Sequence, residues 1–469
     1  MSSADIGVYG LGVMGEAFAL NLESRGLKVA VYNRTAEKTR QFIEGKARGR
    51  MIYGFTDLKG FVQSLSKPRI IVLFIKAGKP VDDVLADLSG MLDKGDIVMD
   101  CGNSHYRDSD RRFAELGSRG TRFLGVGISG GEEGALKGPS MMIGGDFSAY
   151  IDAERKVGPA AAIFENSRCI SYFGDGGAGH FVKIVHNGIE YAVMQAIAEA
   201  YDYLSRAAGY SSLEIGSIFE EWAKGELRSF LLQAAAQVLK YVDPDTQRPL
   251  VELIVDEAEQ KGTGRWSVEA ALELGVAVPT ITAAVEQRTL STQRGLRQIT
   301  PCPPHASATK RELDEDNTLV RDALRATMLL SYVQGISLLD AGARTYGFRV
   351  SEALRVWRAG CIIRSRIVEE LYSLLSYAQG EAATVALEKN LALLEELMPN
   401  WFGFVAQASS AGIPTPATAS ALSYYLSIRS RRLPANLIQA VRDYFGSHMF
   451  RRLDREGYFH SDWGRKVER

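Results

Sequence analysis

Through about the first 175 residues, short β-branched runs alternate with stretches in which apolar residues recur every three or four positions. Ile6–Tyr9, Val29–Tyr32, Ile70–Ile75 and Ile97–Asp100 read as strands, each closed by a turn rich in Gly, Asn or Lys. Strands alternating with helices predict βαβ units and a mostly parallel sheet. The segment Gly174–Gly179, with glycine at four of six positions, ends this pattern. From His180 to about Ser430 the helical period dominates, most clearly in Phe181–Leu204 and Leu319–Gly342. Loops interrupt it at Asp243–Arg248, Lys261–Gly264 and Pro301–Pro304, and no repeat of solenoid period is visible. From about Arg431 the chain is charged and aromatic, too polar to be a domain alone; such a tail frays or packs onto something else, such as another subunit. The expected organisation is an α/β domain over 1–178, a large all-α domain over 179–430 and a tail over 431–469.

Composition adds exclusions. A chain of 469 residues exceeds one ordinary core, and 46% hydrophobic with 24% charged residues is the balance of a soluble globular protein. Lys and Arg total 55 against 56 Asp and Glu, so no nucleic-acid partner is expected, and an anionic substrate would need local cations. The longest apolar stretch, Ala326–Leu339, is broken by Ser, Gln and Gly; it reads as a buried helix, and no membrane segment is expected. Cys101, Cys169, Cys302 and Cys361 show no CxxC spacing, and MSSADIGVYG has no basic region or long apolar run. Reduced thiols and a cytoplasmic location follow as expectations.

Gly10-Leu11-Gly12-Val13-Met14-Gly15 is a GxGxxG between an apolar strand and the helical run Glu16–Ser24. That context gives a weak motif its meaning as a Rossmann-type dinucleotide loop. Gly10 permits the tight turn, Gly12 the close approach of backbone to pyrophosphate, and Gly15 close helix–strand packing. The second strand ends in Asn33-Arg34-Thr35, where an NAD site usually carries Asp or Glu. A guanidinium can bind a 2′-phosphate that a carboxylate would repel, so the expected cofactor is NADP; an ordinary surface arginine is the alternative.

Lys183, Asn187 and Glu190 stand at i, i+4 and i+7, on one helix face, with His186 and Tyr191 beside them. Spacing alone favours a solvated polar face with a His186–Glu190 pair. The preceding glycine segment and the domain junction, where a cleft is expected, weigh for a site. Ser129–Gly134 could offer backbone N–H groups to an anion or be a tight turn, and Lys261–Trp266 suits a phosphate or an exposed interhelical loop.

Asn33-Arg34-Thr35, Lys76-Ala77-Gly78, Gly102-Asn103-Ser104, Ser129–Gly134, Gly179–Tyr191 (GHFVKIVHNGIEY), Lys261–Trp266 and Arg442–His448 (RDYFGSH) occur in this order. Together they closely resemble the decarboxylating 6-phosphogluconate dehydrogenases of the pentose phosphate pathway, over nearly the whole chain. The resemblance implies oxidation of 6-phosphogluconate by NADP to ribulose 5-phosphate and carbon dioxide, without a metal. It implies Lys183 as general base and then acid, its pKa depressed by burial and nearby positive groups, and Glu190 as the acid that protonates C1 of the enediol. Asn103, Ser129, Gly130, Gly131, His186 and Asn187 would bind the carboxylate and hydroxyls; Tyr191, Lys261 and Arg288 would meet the phosphate. Arg442 and His448 would come from the other subunit of a homodimer. Lys76, Ala77 and Asn103 join the glycine loop in holding the cofactor. Departures include Gly12 for alanine, Cys101 for glycine, His105 for glutamate, an unmatched Thr300–Lys310 stretch and an early end after Trp463. A β-hydroxyacid dehydrogenase acting on a small non-phosphorylated acid is the nearest alternative, against which Lys261, Arg288 and Arg442 argue. A catalytically silent nucleotide sensor is a further one, disfavoured by intact Lys183 and Glu190.

Overall fold

The computed structural model describes residues 3–260, 262–297 and 313–464. Within them the chain divides into two compact units, Met1–Ala421 and Leu422–Arg469.

The first unit begins with an eight-stranded sheet. Its strands are β1 (Ile6–Tyr9), β2 (Val29–Tyr32), β3 (Ile52–Phe55), β4 (Ile70–Leu73), β5 (Ile97–Asp100), β6 (Arg122–Ser129), β7 (Ser140–Gly145) and the edge strand Ile170–Tyr172. From that edge the order is β7-β6-β5-β4-β1-β2-β3. Every neighbouring pair is parallel except β6–β7, which is antiparallel. The α/β Rossmann-type expectation holds. The sheet is buried on both faces, and alternation sorts its side chains: Val29, Val31, Ile70, Val72, Ile97 and Met99 enter one core. Ala30, Ile71, Leu73 and Val98 enter the other.

Four of the eight strands, β3, β6, β7 and the edge strand, were not expected from the hydrophobic pattern, and for β6 and β7 the cause is glycine. Strand β6 reads RFLGVGIS, and β7 reads SMMIGG, so glycines interrupt both apolar runs. Those glycines lie beneath the long helix Ala178–Arg206, which starts the helical part of the chain. A Cβ on Gly127 would stand 2.4 Å from the Cβ of Lys183, and one on Gly144 would stand 2.4 Å from the backbone nitrogen of Gly179. The missing side chains let a helix lie directly on the sheet.

The long helix then packs against Leu313–Tyr346, a helix of 34 residues. Gly335 and Gly342 of that second helix leave room for Ile189 and Phe181. Ala326 and Leu339, the ends of the apolar run, are both 0% exposed, in keeping with a buried helix. No helix among the described residues is long and apolar enough to cross a membrane. The loop read at Asp243–Arg248 is non-helical; Pro301–Pro304 lies outside the described residues, as does Cys302. Cys101, Cys169 and Cys361 are free and buried.

In the second unit, the helix Ala435–Gly446 precedes a two-stranded hairpin, Phe450–Arg451 with Tyr458–Phe459.

The helix–sheet contact is unforgiving. A Cβ on Gly179 would meet the carbonyl oxygens of Met142 and Gly125 and the nitrogen of Gly144 at 2.4–2.6 Å, all backbone. Gly179→Ala is therefore expected to destabilise the protein by about 3 kcal/mol, the upper end of an overpacking cost, seen as a lower denaturation midpoint in urea.

Candidate active site

The glycine loop is built as its spacing implies. Gly10 has φ +103°, and a Cβ there would stand 2.3 Å from the carbonyl oxygen of Phe74. A Cβ on Gly15 would fall 1.9 Å from the carbonyl oxygen of Gly10. Both positions demand glycine, whereas a Cβ on Gly12 would meet nothing within 4 Å, because it faces open space. Gly12 caps the helix Val13–Ser24, whose first N–H groups point the same way. Asn33 holds the loop from β2: its Oδ1 accepts the Leu11 N–H at 3.0 Å, and its own N–H donates to Thr39 Oγ1 at 3.2 Å. Next to it, Arg34 and Thr35 are exposed, and Arg34 forms no ion pair among the described residues.

A cavity of about 1000 Å³ opens over this loop. Gly12, Val13, Met14 and Gly15 form its floor; Lys76, Ala77, Gly78, Cys101, Gly102 and Asn103 line one side, and Gly262, Arg265 and Trp266 another. Gly10 and Leu11 are not among its lining residues. The open space at Gly12, the helix N-terminus and the apolar side at Phe74 and Ile128 fit a dinucleotide.

A second cavity, of about 350 Å³, shares Met14, Asn103 and Ile128 with the first. Its remaining lining is Ser129, Gly130, Gly131, Lys183, Asn187, Glu190, Tyr191, Glu259, Thr263, Arg288 and Ile362. Lys183, Asn187 and Glu190 thus project from one helix face into one space, not into bulk solvent. Lys183 is 6% exposed. Its burial pushes the ammonium pKa down, against the pull of Glu190 and Cys361. The depression comes from desolvation, as expected; the positive groups expected to assist it do not, since the groups acting on it, Glu190 and Cys361, are acidic. Burial raises the Glu190 carboxyl, and Lys183 and Arg288 offset this in part. The guanidinium of Arg288 stacks 3.5 Å from the centroid of the Tyr191 ring, which fixes a cation at the edge of the cavity.

His186 is 0% exposed and stands behind the cavity wall, outside its lining. Nε2 lies 2.9 Å from Ser129 Oγ and 3.0 Å from Cys361 Sγ; Nδ1 lies 2.9 Å from Asn187 Oδ1 and 3.4 Å from Lys183 Nζ. Burial, then the Lys183 charge, hold its pKa well below the ordinary value, so it is neutral. It touches three lining residues at once. The Asn103 loop is braced in a similar way: Asp100 accepts from Ser104 Oγ at 2.6 Å and from Arg112, both ions wholly buried, while His180 donates from Nε2 to the Gly102 carbonyl at 3.1 Å.

These features have counterparts in known proteins. The profile described as the NAD binding domain of 6-phosphogluconate dehydrogenase matches residues 5–174. The profile of the 6-phosphogluconate dehydrogenase C-terminal domain matches residues 179–463. The chain belongs to the 6-phosphogluconate dehydrogenase family. A decarboxylating 6-phosphogluconate dehydrogenase of Synechococcus elongatus is 45% identical over 480 residues, covering 99% of this chain and 100% of the relative. The NADP(+)-dependent decarboxylating enzyme of Bacillus subtilis is 41% identical over 476 residues, with 99% and 100% covered. The solved Plasmodium falciparum 6-phosphogluconate dehydrogenase, described as apo, with its cofactor NADP+ and with its substrate 6-phosphogluconate, superposes with a TM-score of 0.92. It is 35% identical and covers 98% of this chain and 100% of its own.

Within this family frame, Lys261 lies outside the described residues, while Gly262 and Thr263 beside it reach the two cavities. Arg442 and His448 belong to the second unit, where both are exposed. Sequence reasoning missed Ile362 and Cys361. The Ile362 N–H donates to Ser129 Oγ at 3.2 Å, and Gly360 accepts from the Ser140 N–H at 2.8 Å. The segment carries no charge or spacing that marks chemistry; only its position against Ser129 does. Among the described residues no group of three or more His, Cys, Asp or Glu could hold a metal ion.

Proposed function

We propose that this enzyme oxidises 6-phospho-D-gluconate at C3 and decarboxylates the product to D-ribulose 5-phosphate and carbon dioxide, with Lys183 and Glu190 as its proton-transfer groups. The protein is an NADP-dependent, decarboxylating 6-phosphogluconate dehydrogenase, in keeping with the curated relatives. The observation that carries the assignment of roles is the shared wall of the two cavities: Lys183, Asn187 and Glu190 face a small space that meets the dinucleotide cavity at Met14, Asn103 and Ile128.

NADP bound over the glycine loop supplies the hydride acceptor. Lys183, its pKa lowered by burial, takes in its neutral form the proton of the 3-hydroxyl as the C3 hydride leaves. The resulting ammonium donates a hydrogen bond to the new 3-keto oxygen. That ketone is β to the carboxylate, so the C1–C2 bond breaks, carbon dioxide departs, and its electron pair becomes an enediol held by the same ammonium. Glu190, with its raised pKa, carries the proton delivered to C1 of the enediol. Asn103, Ser129, Gly130, Gly131 and Asn187 hold the carboxylate and hydroxyls; His186 acts through Ser129, Asn187 and Lys183. Tyr191, Arg288 and Lys261 take the phosphate. Arg34 takes the 2′-phosphate of NADP.

We assign the 1–178, 179–430 and 431–469 segments to cofactor binding, substrate binding with dimerisation, and completion of the partner's site. One feature of the tail supports a homodimer. Leu437, Ile438, Val441, Tyr444 and Phe445 fall on one face of the tail helix and are each 48–66% exposed. An apolar stripe of this kind is a surface for another chain.

In an assay with 6-phosphogluconate and NADP, reduced cofactor and carbon dioxide should form in equal amounts; reduced cofactor alone would refute decarboxylation. Lys183→Arg, unable to become neutral, should lower kcat by about 10²- to 10⁴-fold. The wild-type pH profile of kcat/KM should be bell-shaped, rising as Lys183 becomes neutral and falling as Glu190 loses its proton. Glu190→Gln has no proton to lose there, so its slower profile should not fall at high pH. Arg34→Asp should raise the KM for NADP about tenfold or more while changing that for NAD far less, the size of one lost charge-assisted contact.

A further inference from the structure

In the second unit one carboxylate is completely buried. Asp443, on the helix Ala435–Gly446, is 0% exposed, while its neighbours Arg442 and Tyr444 are exposed. Its Oδ1 accepts the Met449 N–H at 2.8 Å, and its Oδ2 accepts the Trp463 Nε1–H at 2.8 Å and the Ser461 N–H at 3.2 Å. His460 Nδ1 lies 3.0 Å from both oxygens. The Asp443 backbone carbonyl also accepts the Ser447 N–H at 2.9 Å. Donors from both sides of the hairpin therefore converge on one side chain. Burial pushes this carboxyl up, but the bonds from His460, Trp463, Ser461 and Met449 pull it down to about 2, so it is ionised at neutral pH.

What the hub restrains is a strained turn. Ser447 has φ +50° and Met449 has φ +59°, a left-handed backbone that residues with side chains adopt when their surroundings impose it. His448 lies between the two. Arg442 immediately precedes Asp443, and its Nη1 donates to Gln439 Oε1 at 2.9 Å. Gln439 in turn donates to the Met449 carbonyl at 2.5 Å. The two residues assigned to the phosphate therefore flank one hydrogen-bonded centre.

We propose that Asp443 is a positioning residue for phosphate recognition: with His460 and Trp463 it locks the Arg442–Met449 turn in the one shape that presents Arg442 and His448 together. This rests on the reading of Arg442 and His448 as phosphate ligands. It also gives His460 and Trp463 a task, since both bond to the carboxylate that holds the turn. A carboxylate is required, since the groups facing it donate. The near-isosteric Asp443→Asn would turn an NH2 toward donors and leave at least one without an acceptor.

The test is steady-state kinetics on the full-length enzyme with Arg442→Ala, Asp443→Asn and the double variant, alongside light scattering for assembly. Arg442→Ala should raise the KM for 6-phosphogluconate at least tenfold. Asp443→Asn should raise it at least fivefold, with kcat and the KM for NADP within twofold of wild type and assembly unchanged. Its effect should be smaller in the Arg442→Ala background, since the two act through one geometry. An equal effect in both backgrounds, or a rise in both KM values together, would overturn the positioning role. An unchanged KM in Asp443→Asn beside a raised one in Arg442→Ala would overturn it too, and leave the phosphate reading standing. An unchanged KM in Arg442→Ala would overturn the phosphate reading itself. Should Asp443→Asn fold poorly, Trp463→Phe, which removes only the indole donor, should shift the same KM in the same direction by at least twofold; no shift would overturn the proposal.

Discussion

The chemistry depends on how closely one helix can approach one sheet. Gly125 and Gly127 in β6, Gly144 in β7 and Gly179 in the helix together remove the side chains that would hold Ala178–Arg206 away. With them gone, Lys183 rises from a helix seated on backbone, and its ammonium is enclosed instead of solvated. A helix lifted by even one methyl layer would admit water around Nζ and weaken the desolvation that lowers its pKa. Packing and pKa are thus one constraint seen from two sides.

Burial acts on Lys183 and Glu190 in opposite senses. The same low-dielectric surroundings disfavour the charged form of each, lowering Lys183 and raising Glu190. Their mutual attraction works the other way and limits both shifts. Burial thus moves lysine and acid alike toward their neutral forms, while their attraction for each other favours the charged pair. Behind them His186 is held neutral and bonded to Ser129 and Asn187, which sets lining groups without adding a charge.

Several parts of the site have no local signature. Ile362 reaches Ser129 from 233 residues downstream and Cys361 reaches His186 from 175, and nothing in their composition distinguishes them from core. Outside the cavities, Asp443 belongs to the RDYFGSH motif, yet its burial becomes apparent only when Met449, His460, Ser461 and Trp463 close around it. Strands β6 and β7 were hidden by the very glycines that admit the helix, since those residues break an apolar run while serving a contact far away in sequence.

The sequence by itself determined the glycine loop, four strands of the sheet with their alternation with helices, and the helix face that carries Lys183, Asn187 and Glu190. Each of these is a matter of short-range spacing, where 2.0- and 3.6-residue periods and glycine geometry leave little choice. Spacing could not say whether that face met solvent or a cavity, and it favoured solvent. The resemblance of the motifs named the family and implied burial with nearby cations around Lys183; the tertiary structure decided that the face is enclosed and that desolvation alone lowers Lys183. The reason is physical: a pKa is set by what surrounds a group, and the surroundings of Lys183 come from Gly127, Cys361 and Glu190, two of them distant in the chain.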